Sequence, residues 1–246
     1  ALTNKNFKVY YQPVFGSEEN RIVSCEALLR LIDDELGNIP PNEFIPIAEQ
    51  NGSIMKIGKF VFEEACRFIR KGNAAALGIE YVQVNLSVVQ CMQSDLTENF
   101  VNIMDRYKID PSQICLEITE TAVAYTPHIM EQNIKQLSMI GIKFALDDYG
   151  TGYSNMNYLL NLPFKYVKLE KEIICKAFNN EKARIAIEST IAMIKKLNMK
   201  IVAEGAETAE QVETLLEMKC DYIQGIYFSE PLAEKEFLKA AESFSR

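Results

Sequence analysis

The chain has 246 residues, 48% hydrophobic and 24% charged, an ordinary globular composition with enough length to bury one large core. Its 26 Lys and Arg against 34 Asp and Glu give a formal net charge of −8, with no basic block to displace counterions, which argues against duplex nucleic acid as a partner. One histidine, six cysteines without a CxxC pair, no apolar run of ~20 residues and no signal-peptide pattern argue against a His-rich zinc site, a disulfide framework and a membrane segment, and point to reduced, mostly buried thiols in a cytoplasmic domain.

Along the chain, short β-branched or aromatic runs alternate with segments of helical spacing. Strands are predicted over Phe7–Phe15, Ile22–Leu31, Tyr81–Ser87, Ile114–Glu120, Lys143–Tyr149, Phe164–Glu170, Lys200–Glu207 and Tyr222–Ser229. Helices are predicted over Ile54–Lys71, Leu96–Tyr107, Pro127–Ile140, Glu181–Leu197, Ala209–Lys219 and Ala233–Ser243, with a shorter one near Asn155. His128, beside Pro127 where a helix begins, reads as a surface or capping residue. Eight strands with helices between most of them predict an α/β protein, a (β/α)8 TIM-like barrel forming a single domain. Only the six residues Gly16 to Arg21 separate the first two strands, too few for a helical crossover. The first strand should therefore be antiparallel and the barrel irregular there.

Side chains alternate between the two faces of a strand. Val82, Val84 and Leu86 then oppose Gln83, Asn85 and Ser87; Ile114, Leu116 and Ile118 oppose Cys115, Glu117 and Thr119. Phe144 and Leu146 likewise oppose Ala145 and Asp147, Val167 and Leu169 oppose Tyr166 and Lys168, Ile201 and Ala203 oppose Val202 and Glu204, and Ile223 opposes Gln224. With the apolar faces against outer helices, Glu26, Asn85, Glu117, Asp147, Lys168, Glu204 and Gln224 point inward, each late in its strand, at the end where barrel enzymes assemble their sites.

Taken singly, Asp148 before Gly150 reads as a turn or cap, Asn85 as a turn residue and Lys168 as a side chain snorkelling out of the barrel mouth. Taken together those readings fail, because several inward carboxylates repel one another and lose their hydration. One lysine is too little compensation, so divalent cations are inferred; oxygen donors with an Asn carbonyl suit Mg2+ or Mn2+. The doublet Asp147-Asp148 can serve two cations, the arrangement that activates water for phosphodiester hydrolysis, with Gly150-Thr151-Gly152 as a close-approaching loop.

These residues resemble the EAL domain family, phosphodiesterases acting on the bacterial messenger cyclic di-GMP. The match runs through Tyr11-Gln12-Pro13, Glu26-Ala27-Leu28 with Leu29-Arg30, Phe44-Ile45-Pro46 with Ala48-Glu49, Asn85-Leu86-Ser87, Glu117-Ile118-Thr119-Glu120, Asp147 to Gly152, Lys168, Ala203-Glu204-Gly205 and Gln224-Gly225. The resemblance implies hydrolysis of cyclic di-GMP to linear pGpG by a water activated between two divalent cations, Mg2+ or Mn2+. It implies that Glu26, Asn85, Glu117 and Asp147 hold one cation and that Asp147, Asp148 and Glu204 hold the other. Lys168 would orient or deprotonate the water, with Gln224 as a further water partner and Glu120 bracing the loop after Asp148. Gln12, the Leu28 backbone and Arg30 would contact substrate, Arg30 through its two-pronged guanidinium.

Departures are modest: Tyr149 stands for the usual Phe, Glu170 for Asp, Leu31 for Trp and Ala206 for Val. Glu170 is the one expected to shift groups near Lys168. The resemblance also implies a homodimer and, given the start at Ala1, a domain excised from a longer multidomain signalling protein that could itself be membrane-tethered. The alternative is a catalytically silent cyclic di-GMP receptor or protein-interaction module, which typically lacks ligands of this set; all are present here. A Schiff-base role for Lys168 is discounted, because a lysine ringed by carboxylates keeps its proton.

Overall fold

A computed structural model describes residues 6–72, 74–123, 127–150 and 156–244. Ten strands form one sheet: β1 (Phe7–Gly16), β2 (Arg21–Asp33), β3 (Gly37–Ile39), β4 (Tyr81–Asn85), β5 (Ile114–Thr119), β6 (Lys143–Tyr149), β7 (Tyr166–Leu169), β8 (Lys200–Glu204), β9 (Tyr222–Gln224) and β10 (Leu232–Ala233). Eight of them close on themselves in the order β1-β9-β8-β7-β6-β5-β4-β2, with the β1–β2 pairing completing the ring. Every neighbouring pair from β2 round to β9 is parallel, while β1 is antiparallel to both β2 and β9. The closed barrel with an antiparallel first strand is as the sequence predicts. The two short strands pair antiparallel on the outer ends of β2 and β1.

The longer helices are α1 (Pro41–Gln50), α2 (Ile54–Lys71), α3 (Leu96–Tyr107), α4 (His128–Met139), α5 (Lys171–Asn179), α6 (Glu181–Lys196), α7 (Ala209–Glu217) and α8 (Glu234–Phe244). Their starts are chemically marked. Asn180 accepts from the Lys182 and Ala183 amides, and Thr208 and Gln211 form a reciprocal capping box. The sequence reading misses α1 because Pro40, Pro41 and Pro46 look like breakers. Pro41 instead occupies the first helical turn, where its missing N–H is not needed, and Pro46 costs one internal bond. It misses α5 as well, whose first turn is capped by the Glu170 carboxylate accepting the Glu172 amide at 2.7 Å. Glu170 is therefore engaged with its own helix.

The parity pattern is realised in two separate cores. Val82, Val84, Leu116, Leu146, Val167 and Ile201 belong to the large outer core between strands and helices. Inside the barrel lies a layer of Val14, Val23, Tyr81, Cys115, Ala145, Tyr166, Val202 and Tyr222, one side chain from each of the eight staves. This layer plugs the barrel; Tyr81 stacks on Tyr166 with centroids 5.1 Å apart, and Tyr222 meets Tyr166 edge-on. A bulge lets β2 contribute: Val14 pairs with Ser24 but Phe15 with Ile22, so Val23 is an extra residue. Without it, Val23 and Glu26 would face opposite sides of the strand.

Strands β8 and β9 end sooner than their composition suggests. Gly205 (φ +76°) turns the chain after Glu204, and a Cβ on Gly225 would stand 2.0 Å from the Ala206 carbonyl oxygen. The two segments thus cross at van der Waals distance, with the Tyr227 amide donating to Ala206 O at 3.0 Å. All six cysteines are free thiols, five of them buried, and His128 is an exposed residue opening α4. No helix among the described residues is long and apolar enough to cross a membrane.

Candidate active site

One turn of the barrel above the interior layer, the side chains become polar on every stave: Gln12, Glu26, Gln83 and Asn85, Glu117, Asp147, Lys168, Glu204 and Gln224. Lys168 is at the centre and only 1% exposed. Its Nζ lies 2.8 Å from Glu204 Oε1, 3.0 Å from Glu117 Oε1, 3.3 Å from Glu26 Oε2 and 3.4 Å from Asp147 Oδ1. Four carboxylates from four strands therefore contact a single ammonium.

The surroundings differ for each carboxylate. Burial pushes Glu26 up, but Lys168 and the amide donors Gln224 (Nε2, 2.7 Å) and Asn85 (Nδ2, 2.8 Å) outweigh it, and its pKa is lowered. Glu117 lacks such amide donors. Burial, then the Glu26 charge, drive its pKa well above the usual carboxylate range, against the pull of Lys168, whose Nζ is 3.0 Å from Oε1. Glu204 is pushed up to about 7, first by burial and then, against the opposing Lys168, by Asp147 and Glu26. For Lys168, burial lowers the pKa, yet Asp147, Glu117, Glu204 and Glu26 together raise it well above the ordinary value. The ammonium keeps its proton, which disfavours imine chemistry.

Asp148 follows in a left-handed conformation (φ +55°), its amide donating to Asp147 Oδ1 at 3.0 Å. Burial and then Asp147 raise its pKa. Oxygens of Asp147, Asp148 and Glu204 all lie within 4.8 Å of one another. Glu120 stands away from Lys168: it accepts the Gly150 amide at 2.8 Å and the Tyr158 hydroxyl, tying the turn after Asp148 to the next helical segment. Thr151 and Gly152 of the expected loop lie outside the described residues.

Gln12 accepts from Gln224 Nε2 at 3.1 Å and donates to the Ser229 carbonyl at 3.3 Å. Leu28 borders two cavities that meet at Glu26: one of about 380 Å³ over Lys168 and Gln224, and one of about 430 Å³ reaching past Arg30 and Asn85 to Glu49. Arg30 donates to the Leu29 carbonyl at 2.9 Å, and burial lowers its pKa against the pull of Glu26. Ser87 donates to Glu49 at 2.5 Å, which ties the strand end of β4 to α1.

The structure thus brings Glu26, Asn85, Glu117, Asp147, Asp148, Glu204, Lys168 and Gln224 to one end of the barrel, with Gln12, Leu28 and Arg30 on its rim. The sequence reading passes over Gln83, which parity places inward, because an amide one rung below the mouth carries no charge to flag it. It also misses the Tyr158 contact to Glu120, for which no local signal exists.

The donor set fits divalent cations. All charged donors are hard oxygens, and four carboxylates share one cation among the described residues, with Glu117 buried and held by no amide donor.

A family model described as "EAL domain" matches residues 1–231. Among curated relatives, the bifunctional diguanylate cyclase/cyclic di-GMP phosphodiesterase MucR of Pseudomonas aeruginosa is 32% identical over 97% of this chain and 35% of its own length. The oxygen sensor protein DosP of Escherichia coli is 34% identical over 96% of this chain and 30% of its own. The chain therefore spans about a third of the length of these relatives. Among solved structures, the PaMucR phosphodiesterase in complex with c-di-GMP superposes with a TM-score of 0.90 at 32% identity, covering 96% of each chain. An EAL domain protein from Listeria monocytogenes does so with a TM-score of 0.84 at 29% identity, covering 97% of this chain and 94% of that one. The motif order along the sequence, the closed barrel and the carboxylate ring at its mouth agree with these matches, and the chain belongs to the EAL domain family.

Proposed function

We propose that the chain is a phosphodiesterase that hydrolyses one phosphodiester bond of cyclic di-GMP to give linear pGpG, using two divalent cations, Mg2+ or Mn2+. The observation that carries this reading is the contact of four strand-end carboxylates with one buried lysine, too little positive charge for the acidic groups around it. The relatives named as cyclic di-GMP phosphodiesterases, MucR and NbdA of P. aeruginosa, supply the substrate class. Because such relatives are about three times as long, we also infer that the barrel works as one module of a longer signalling protein.

Glu26, Asn85, Glu117 and Asp147 would hold one cation, and Asp147, Asp148 and Glu204 the other. When bound, such a pair supplies Lewis-acid stabilisation of the phosphodiester and makes water a competent nucleophile at neutral pH. The chain's own residues do the rest. Asn85 and Gln224 fix the rotamer of Glu26 from two sides. Lys168 holds its proton at Nζ, so its part is to donate a hydrogen bond to the attacking water and align it. Glu120 holds the turn that presents Asp148 by binding the Gly150 amide. Arg30, on the rim, offers guanidinium N–H groups to a phosphate oxygen. The water oxygen bonds to phosphorus as it gives up a proton, the P–O bond opposite breaks, and a proton ends on the leaving ribose oxygen, so that the proton lost by water balances the one the leaving group gains.

Purified chain with Mg2+ or Mn2+ is expected to convert cyclic di-GMP to pGpG, followed by chromatography, and EDTA to abolish turnover until the cation is restored. Tight binding with no turnover in either cation would favour a silent receptor instead.

Cation binding should also depend on pH. In the cation-free protein Glu204, with a pKa of about 7, and Glu117, raised well above the ordinary carboxylate range by burial, retain protons that a cation must displace. Mn2+ affinity is expected to rise as pH increases through 7, with protons released in calorimetry run in two buffers of different ionisation enthalpy. The stability of the cation-free form runs the other way. A carboxyl raised from 4.5 to about 7 binds more protons folded than unfolded, so its contribution is lost as pH rises from about 4.5 to 7. An affinity independent of pH across this window would contradict the reading.

A further inference from the structure

Among the described residues, three buried side-chain atoms on the inward faces of the barrel staves have no hydrogen-bond partner. These are both amide atoms of Gln83 and Gln224 Oε1. Buried polar groups are almost always paired, with protein or with ordered water, so this concentration in one place calls for a physical account.

Gln83 is its centre. It is fully buried on β4, two residues after Tyr81 and two before Asn85, and so shares their inward face. Its Cα neighbours are Glu26 on β2 and Cys115 on β5, which puts it level with Glu26 and one rung below Glu117 on the adjoining strand. Ser24 and Tyr81 pair with each other one rung lower, and the Tyr166 and Tyr222 rings close the floor. An amide with both ends unfilled, one rung below a carboxylate that no protein amide supports, fits bridging water, which typically makes about three hydrogen bonds to such groups. The neighbouring carboxylate shows the contrast: Glu26 receives amide donors from Asn85 and Gln224, whereas Glu117 has Lys168 at 3.0 Å and no amide donor.

We propose that Gln83 is a positioning residue which, through ordered water in the barrel interior, holds the Glu117 carboxylate from below and keeps its oxygens aimed at the cation site. This rests on the cation-binding reading above.

The test is Mn2+ titration of the 246-residue chain by calorimetry, in wild type, Gln83→Met and Gln83→Asn. Removing an outer partner of a metal ligand typically weakens metal binding by about 10–100-fold, the loss expected for Gln83→Met, which keeps the volume and removes the amide. Gln83→Asn keeps an amide with room for one more water and should lose less. A role in packing alone reverses that order, since Met fills the space and Asn leaves a void. Wild-type affinity in Gln83→Met, or a greater loss in Gln83→Asn, overturns the inference while leaving the cation reading standing. A wild-type chain that binds no Mn2+ overturns the cation reading and this inference with it. Should Gln83→Met fail to fold, a high-resolution crystal structure of the wild type decides: a water bridging the Gln83 amide and Glu117 supports the inference, and a dry, unbridged pair overturns it.

Discussion

Glu26→Ala is expected to reduce cyclic di-GMP hydrolysis by at least about 10³-fold while leaving the barrel folded. The factor corresponds to the several kcal/mol of transition-state stabilisation that a correctly held cation supplies. Glu26 is the best-fixed carboxylate of the ring, 6% exposed, accepting from Asn85 at 2.8 Å and Gln224 at 2.7 Å and lying 3.3 Å from Lys168. Its removal takes away one oxygen donor set and the anchor that orients both amides. Stability should change little, because the same substitution relieves the repulsion that raises Glu117 and Glu204. A net effect within about 1 kcal/mol moves the melting temperature by only about 2–4 °C in a chain of this size. Turnover within tenfold of wild type, in protein that still melts cooperatively, would contradict the assignment.

Lys168→Met has the larger structural effect, and its direction depends on the cation. Without divalent ions, the substitution deletes the only positive group among the described residues that contacts Glu26, Glu117, Asp147 and Glu204. Breaking a buried ionic cluster by removing one partner costs about 3–5 kcal/mol, or roughly 10 °C in melting temperature. Mn2+ should restore most of that, and the rise it produces should exceed the rise in wild type, because the variant site is more negative and binds the cation more tightly. Turnover falls even with Mn2+ bound, since Met cannot orient water. Differential scanning calorimetry at matched pH, with EDTA and with Mn2+, checks the pattern. Equal melting temperatures for variant and wild type in EDTA would show that the carboxylates do not depend on the lysine.

The mouth of the barrel is legible in the sequence for a simple reason. Strand periodicity is two, so a charged residue opposite an apolar run must face the barrel interior, and Glu117, Asp147, Lys168 and Glu204 all meet that condition. The same rule places Tyr81, Cys115, Ala145, Tyr166, Val202 and Tyr222 in the interior layer. It fails at Val23, where a bulge inserts one residue, because a bulge is set by pairing between strands and has no signature within one of them. Strand ends were overextended at β8 and β9, since Gly205 and Gly225 act through the crossing of two backbones that are distant in sequence. Helix α1 was hidden by three prolines, and α5 by a capping side chain, Glu170, that sequence comparison alone marks only as a departure. The 3.0 Å approach of Lys168 to Glu117 belongs to tertiary geometry, and no spacing announces it.

The central claim is that these carboxylates tolerate one another because divalent cations sit among them. Anomalous diffraction from crystals soaked in Mn2+ tests it most directly. Two peaks are expected, one touching Glu26, Asn85, Glu117 and Asp147 and the other touching Asp147, Asp148 and Glu204. No peak at the barrel mouth at saturating Mn2+, or peaks confined to surface carboxylates, would contradict the account.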